Sequence, residues 1–398
     1  MAKLINLRPF REFLQSGSAG GVILIVCVLI SLIIANTGAG PGLESLLSSE
    51  LGYDFQNVHL RYSLLIWIND GLMAIFFLMV GLEIKRELVE GELSSFKKAA
   101  LPIFAALGGV IVPAVIFTAF NQNTETAGGW GIPMATDIAF AIAIITMLGK
   151  KVPASLKIFL AALAIVDDLM AILVIAIFYS SELHYTYLLY AGGIFLALLA
   201  INKLGVKNLA AYLIPGIFIW YFIHHSGVHA TIAGVLTAFA IPTTPDDTES
   251  PLEKLEHVLV NPVNFVIMPV FALANTNITF EDGMMQGLTT PLGLGIILGL
   301  VVGKPLGITA LSWLSVKLGI SARPHGAGWL HIIGVGMLGG IGFTMSVFIA
   351  LLSFAGKDLI LSEAKFSILT GSILSGLLGC AMLSWVSKRS RANKSAMH

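Results

Sequence analysis

Long apolar runs separated by short polar stretches set the pattern of this chain. Twelve of them are long enough, or nearly so, to cross a bilayer as helices, which takes roughly 20 apolar residues. They cover residues 18–36, 61–84, 99–120, 128–148, 154–179, 185–201, 209–223, 227–241, 258–275, 288–314, 330–354 and 366–386. The seventh and eighth are short and read as tilted or partial spans. Strand-like alternation is confined to "LGYDFQNVHLRYS", at the end of the first long loop (37–60), and predicts a short β-hairpin. The pattern predicts an all-α polytopic membrane protein, residues 1–398 forming a single transmembrane domain.

Composition agrees with this reading. The chain is 56% hydrophobic and 12% charged, where a soluble domain has about 25% charged residues. Net charge is zero, so no basic patch points to nucleic acid. Cys27 and Cys380 lie inside apolar runs, which argues against a disulfide framework. The first run follows a basic lead with Lys3, Arg8 and Arg11 and reads as an uncleaved span rather than a signal peptide. With the N-terminus in the cytoplasm and sides alternating, cytoplasmic segments hold 19 Lys and Arg. Outside segments hold only Arg61, Lys357 and Lys365. This asymmetry predicts both termini on the cytoplasmic side.

Five ionisable residues break the apolar runs: Asp70, Asp137, Asp167, Asp168 and Lys304. Each would cost about 2.5–3.5 kcal/mol at the bilayer centre if uncompensated, so such residues face protein or water and mark ion pathways. Four acids against one base leave an excess of negative charge, which suits a cation or protons. Asp167 and Asp168 are adjacent, and successive helical residues differ by about 100° in direction. One can meet a neighbouring helix while the other faces a cavity. Acids so placed titrate as a coupled pair, and their oxygens are hard ligands of the kind alkali ions favour.

The fourth and eleventh spans look interrupted. "GGWGIPMATDIAFAIAIITML" holds Gly128, Gly129, Gly131 and Pro133 before Thr136 and Asp137. "GVGMLGGIGFTMSVF" holds five glycines before Thr344. The two lie seven spans apart. An odd offset would invert one repeat relative to the other, so spans 3–5 and 10–12 are read as inverted repeats with crossing broken helices. Half-helix N-termini carry partial positive charge and C-termini partial negative charge. Asp137 is expected to offset the former and Lys304 the latter. In the tenth span Gly295, Gly299, Gly303 and Gly307 form a small-residue stripe beside Lys304. It predicts close backbone approach, but spacing does not say which acid Lys304 meets.

The chain resembles the NhaA-type bacterial sodium–proton antiporters over essentially its full length. The likeness rests on "LLIWINDGLMAIFFLMVGLEIKREL" (64–88), "ATDIAFA" (135–141), "LKIFLAALAIVDDLMAI" (156–172), "SGVHATIAG" (226–234), "LEHVL" (255–259), "GKPLGI" (303–308) and "GIGFTMSVFIA" (340–350). That family is itself an example of inverted repeats with broken helices. The resemblance implies an ion site at Asp167 and Asp168, with Asp168 the central carrier of cation and proton and Thr136 at the sodium site. It places Thr136 and Asp137 at the helix crossing and allows Lys304 to pair with Asp167. It also implies a charged cytoplasmic funnel rim of Glu83, Arg86, Glu87, Glu256 and His257, linked to pH response. The acidic loop "TTPDDTESPLEKLEH" (243–257) leaves that pH tuning open. Asp70 is read as supporting a helix break or lining the outer vestibule, and His229 as a packed polar residue. A homodimer joined at the first outside loop is implied.

The function expected is electrogenic export of sodium, and of lithium, in exchange for about two protons, across a bacterial inner membrane. No cofactor is expected, and no phosphate loop suggests ATP as the energy source. A sodium-coupled solute symporter and an intramembrane aspartyl enzyme are the alternatives.

Overall fold

The computed structural model describes residues 19–55, 58–180, 183–243, 249–280 and 284–395. Lys3, Arg8 and Arg11 of the basic lead, and residues 244–248 of the acidic loop, lie outside them.

Helix forms wherever the chain is apolar, because only a helix or a closed barrel satisfies every backbone group in lipid. Helix α1 (Ala19–Ala35) turns through 109° into the short α2 (Gly40–Ser48). The expected hairpin follows. Strand β1 (Glu50–Leu51) pairs antiparallel with β4 (Tyr62–Ser63), and β2 (Asp54–Phe55) with β3 (Val58–His59). Residues 56 and 57 lie outside the described residues. Then come α3 (Leu64–Val89), α4 (Phe96–Asn121), a 3-10 segment (Ala127–Met134) leading to α5 (Ile138–Met147), and α6 (Ala154–Phe178). They are followed by α7 (Tyr185–Lys203), α8 (Ala210–His224), α9 (Ile232–Ala240) and α10 (Pro251–Asn275). The chain ends with α11 (Pro291–Lys317), α12 (Trp329–Gly339), α13 (Phe343–Ser353) and α14 (Asp358–Ser395).

Among the described residues, eight helices are long and apolar enough to cross a membrane, and α12 with α13 makes a further span bent by 47°. Each of the twelve predicted spans falls on a helix or a helix pair. The two flagged as short are α8, with 15 residues, and α9, with 9. Helix α7 buries only Ala191 and Leu198, and leaves Leu189 and Leu196 exposed. Such a surface suits lipid.

Three of the long helices contain a π turn: Trp67–Leu72 in α3, Val263–Ile267 in α10 and Gly299–Gly303 in α11. The last two adjoin Pro262 and Pro305. A proline has no N–H to give the ladder, so the register must loosen nearby. The predicted glycine stripe packs α11 against α4. A Cβ on Gly307 would lie 2.0 Å from the Gly108 carbonyl oxygen. Only glycine on both sides allows that approach, and it brings Lys304 into the interior with no exposed surface.

Candidate ion site

The site is built where the two interrupted spans cross. In the first, Ala135 is extended and Asp137 caps α5, its Oδ1 accepting from the Phe140 N–H at 3.1 Å. In the second, Gly340 to Gly342 separate α12 from α13. The breaks are tied together. The Asp137 N–H donates to the Ile341 carbonyl at 2.6 Å, and Thr136 Oγ1 donates to the Gly339 carbonyl at 2.7 Å. Asp137 Oδ2 accepts from the Thr344 N–H at 3.0 Å and from the Thr344 hydroxyl. One carboxylate therefore serves the N-termini of both α5 and α13, where orphan N–H groups and helix dipoles favour negative charge. Ser346 Oγ adds a bond to the Ile132 carbonyl at 2.7 Å. Asp137, expected to offset a half-helix N-terminus, is placed at two of them.

Lys304, expected to offset a half-helix C-terminus, is placed against an acid. Its ammonium does not cap a helix C-terminus; it donates to Asp167 Oδ2 at 2.7 Å, with both side chains 1% exposed. The reason is distance along the fold. Close packing of α4 and α11 buries Lys304 toward α6, and a buried ammonium needs an acid more than a carbonyl. This resolves which acid it meets. Asp167 Oδ1 has no hydrogen-bond partner among the described residues.

Asp168 faces the other way. It lines a cavity of about 450 Å³, shared with Asp137, Thr344, Glu83, Asn261 and Asn264 among its polar residues. No protein donor is hydrogen-bonded to the Asp168 carboxylate among the described residues. Neither Asp167 nor Thr136 lines the cavity, since Lys304 and Gly339 hold them. The three residues expected to form the sodium site thus divide: one lies on the cavity wall and two are committed elsewhere in this conformation.

The funnel rim also divides. Glu83 lines the cavity. Arg86 lies 3.0 Å from Glu256 and 3.4 Å from Glu87, which accepts from the Glu92 N–H at 2.8 Å. His257 turns away and meets Glu249 at 2.9 Å on the exposed side of α10. Asp70 lies far along α3, on its π turn, 3.3 Å from His224. His229 is half-buried, its ring 6.4 Å from that of Phe348.

Sequence reasoning missed Thr344, Asn264 and His224. Thr344 carried a signal, since it follows a glycine-rich break just as Thr136 does. His224 sits at the polar edge of an apolar run and Asn264 is an uncharged amide inside one, and neither carried a signal.

The fold and these contacts define a helical membrane transporter with an acidic site at the crossing of two broken helices. Comparison with known proteins agrees. The family model described as Na+/H+ antiporter 1 matches residues 11–383. A Flavobacterium johnsoniae protein named Na(+)/H(+) antiporter NhaA 2 is 64% identical over 98% of this chain and 95% of its own length. The NhaA antiporters of Flavobacterium psychrophilum and Dechloromonas aromatica are 52% and 49% identical, each over 95% of this chain and 96% of their own. The chain belongs to the Na+/H+ antiporter 1 family and is a multi-pass membrane protein.

Proposed function

We propose that this protein exports sodium, and also lithium, in exchange for protons across a bacterial inner membrane, electrogenically, with about two protons entering per cation. The observation that carries this reading is the split between neighbours: Asp168 on the cavity wall, Asp167 held by Lys304 at 2.7 Å. Asp168 takes the arriving cation and gives up its proton. For Asp167 to join it, its carboxylate must leave Lys304, and the ammonium, without its counter-ion, gives up the second proton. Thr136, Asp137 and Thr344 hold the crossing in place while the repeats rock about it. Glu83 leads the cation inward, and the Arg86, Glu87 and Glu256 cluster, with His257, responds to pH.

The chain works as a single transport domain. The excess of Lys and Arg in alternate loops supports cytoplasmic termini, and the hairpin on the opposite face supports a homodimer joined there. Because cation and protons share the carboxylates, the exchanger idles in acid and works in alkali. The test is proton flux into vesicles holding the purified protein with sodium as the only added solute. A flux driven by sodium, absent in Asp168→Asn, is expected. No sodium-driven flux in the wild type, or flux only with a second solute, would favour a symporter.

A further inference from the structure

A second group of titratable residues lies on α3, away from the ion cavity and beside the hairpin. Asp70 sits on the π turn Trp67–Leu72, and its Oδ2 is 3.3 Å from His224 Nδ1 at the end of α8. The Asp70 backbone carbonyl accepts from the Trp220 indole N–H at 3.3 Å. Trp220 stacks on Trp67 at 5.9 Å on one side and on the His224 ring at 5.6 Å, interplanar angles 22° and 21°. Tyr62, at the base of the hairpin, meets the His224 ring edge-on at 4.9 Å. The Tyr62 hydroxyl is also 3.4 Å from His225 Nε2 and donates to the His59 carbonyl at 3.0 Å. One imidazole thus joins α8, the π turn of α3 and the hairpin.

A charged ring at this place would meet an acid and an indole face. An imidazolium beside a carboxylate gains a charge-assisted hydrogen bond, and on the face of a tryptophan it gains a cation–π contact. Histidine is the side chain whose ordinary titration falls between about pH 5 and 8. The other titratable groups facing this cluster are Tyr221 and His225 on α8, Tyr62 on β4, Tyr187 on α7 with His184 just before it, and His229 ahead of α9. Asp54 and His59 pair with each other at 3.5 Å, as do Arg61 and Glu50 at 2.8 Å. Asp70 is the acid in contact with His224.

We propose that His224 and Asp70 form a second proton-binding site, separate from the exchange carboxylates, and that a proton held there clamps α8 and the hairpin onto the π turn of α3. A π turn is a local weak point in a helix ladder, so contacts made there act on the whole helix. The same helix supplies Phe76, Met79, Val80 and Glu83 to the ion cavity. Acid on the hairpin side fastens one end of the helix that walls the ion path, and alkali releases it. Only this last step, from clamp to transport, rests on the exchange activity proposed above.

The experiment reads the site without transport. Tryptophan emission of the purified full chain is titrated from pH 5 to 9, since an imidazolium stacked on an indole quenches it. The wild type gives a step in the imidazole range. His224→Gln and Trp220→Phe lose it, and His225→Gln keeps it. Asp70→Asn, which takes the opposite charge from beside the ring, displaces the step. Asp168→Asn keeps the step, so failure of the exchange reading would not touch this result. Absence of a step in the wild type, or an unchanged step in His224→Gln, overturns the proposal. In vesicles, His224→Gln should flatten the response of exchange to pH on the hairpin side, and an unaltered profile would sever the clamp from transport.

Discussion

Two faces of α6, one residue apart, meet the same problem in opposite ways. On one face Asp167 is dry and paired with Lys304 at 2.7 Å, both side chains 1% exposed. On the other, Asp168 is almost as buried, at 3% exposure, yet it borders a cavity of about 450 Å³ and is hydrogen-bonded to no protein donor among the described residues. A turn of about 100° between neighbours separates the two environments. The first charge is compensated by the chain itself. The second is left to whatever enters the cavity. Adjacent acids are thus a means of setting a fixed pair beside an exchangeable one within a single helical turn.

Replacing the open member should have the largest effect on function. Asp168→Asn keeps the shape of the side chain and removes its charge and exchangeable proton. Sodium-driven proton flux in vesicles should fall to the level of protein-free vesicles, while membrane insertion and folding persist because no protein hydrogen bond among the described residues is lost. Flux near the wild-type rate would erase the proposed difference between the two faces.

Breaking the closed member should act first on stability. Lys304→Ala leaves Asp167 buried and without its counter-ion, and removing one partner of a buried pair costs about 3–5 kcal/mol. Arg86 and Glu256 provide the contrast at 3.0 Å, because water reaches the Arg86 end of the pair, which is 34% exposed, although Glu256 is 5% exposed. Thermal unfolding in detergent should show a clear drop for Lys304→Ala and a much smaller one for Arg86→Ala. Equal melting temperatures for Lys304→Ala and the wild type would mean that the pair is not closed.

Much of this contrast was legible in the sequence, and the reasons are specific. Asp137, Asp167, Asp168 and Lys304 stood out because charge in an apolar run is costly whatever the fold. The breaks in spans four and eleven were visible through glycine and proline. The partner of Lys304 was not, since Asp167 lies 137 positions away and only the Gly108–Gly307 crossing brings them together. The π turn in α3 was hidden for another reason: "WINDGL" lies in a run whose hydropathy does not register an extra residue in the turn. Span ends were misplaced where helices outlast the apolar run. Helix α14 begins at Asp358 rather than 366, and α3 continues to Val89. The division of Asp168 from Thr136 depended on which hydroxyl found a carbonyl, and helical spacing does not encode that.

Sharing carboxylates between sodium and protons gives the next effect. While the site still holds protons, each proton displaced should make sodium affinity change about tenfold per pH unit, weakening toward acid and strengthening toward alkali. Calorimetry on purified protein at several pH values, with proton release counted by varying the buffer, measures both slope and stoichiometry. A slope of two requires Asp167 to let go of Lys304 when sodium binds. A slope of one would confine exchange to Asp168 and keep the closed face closed. Affinity independent of pH would defeat the competition.

The smallest effect tests what both faces lean on, the crossing itself. Thr344 gives Asp137 Oδ2 two donors, its backbone N–H at 3.0 Å and its hydroxyl. Thr344→Val keeps the β-branched shape and the backbone donor and removes only the hydroxyl. A single hydrogen bond contributes about 1 kcal/mol net, so the melting temperature should fall slightly. Asp137 keeps the Phe140 N–H at 3.1 Å as well, and α5 remains capped. Thr344 also lines the cavity, which gives the variant a second reading. If the hydroxyl serves only the crossing, apparent sodium affinity should stay within about twofold of wild type, a change worth less than the hydrogen bond itself. A loss of tenfold or more with an unchanged melting temperature would instead put the Thr344 oxygen among the ligands of the cation, and move the exchangeable face from Asp168 alone to the whole crossing.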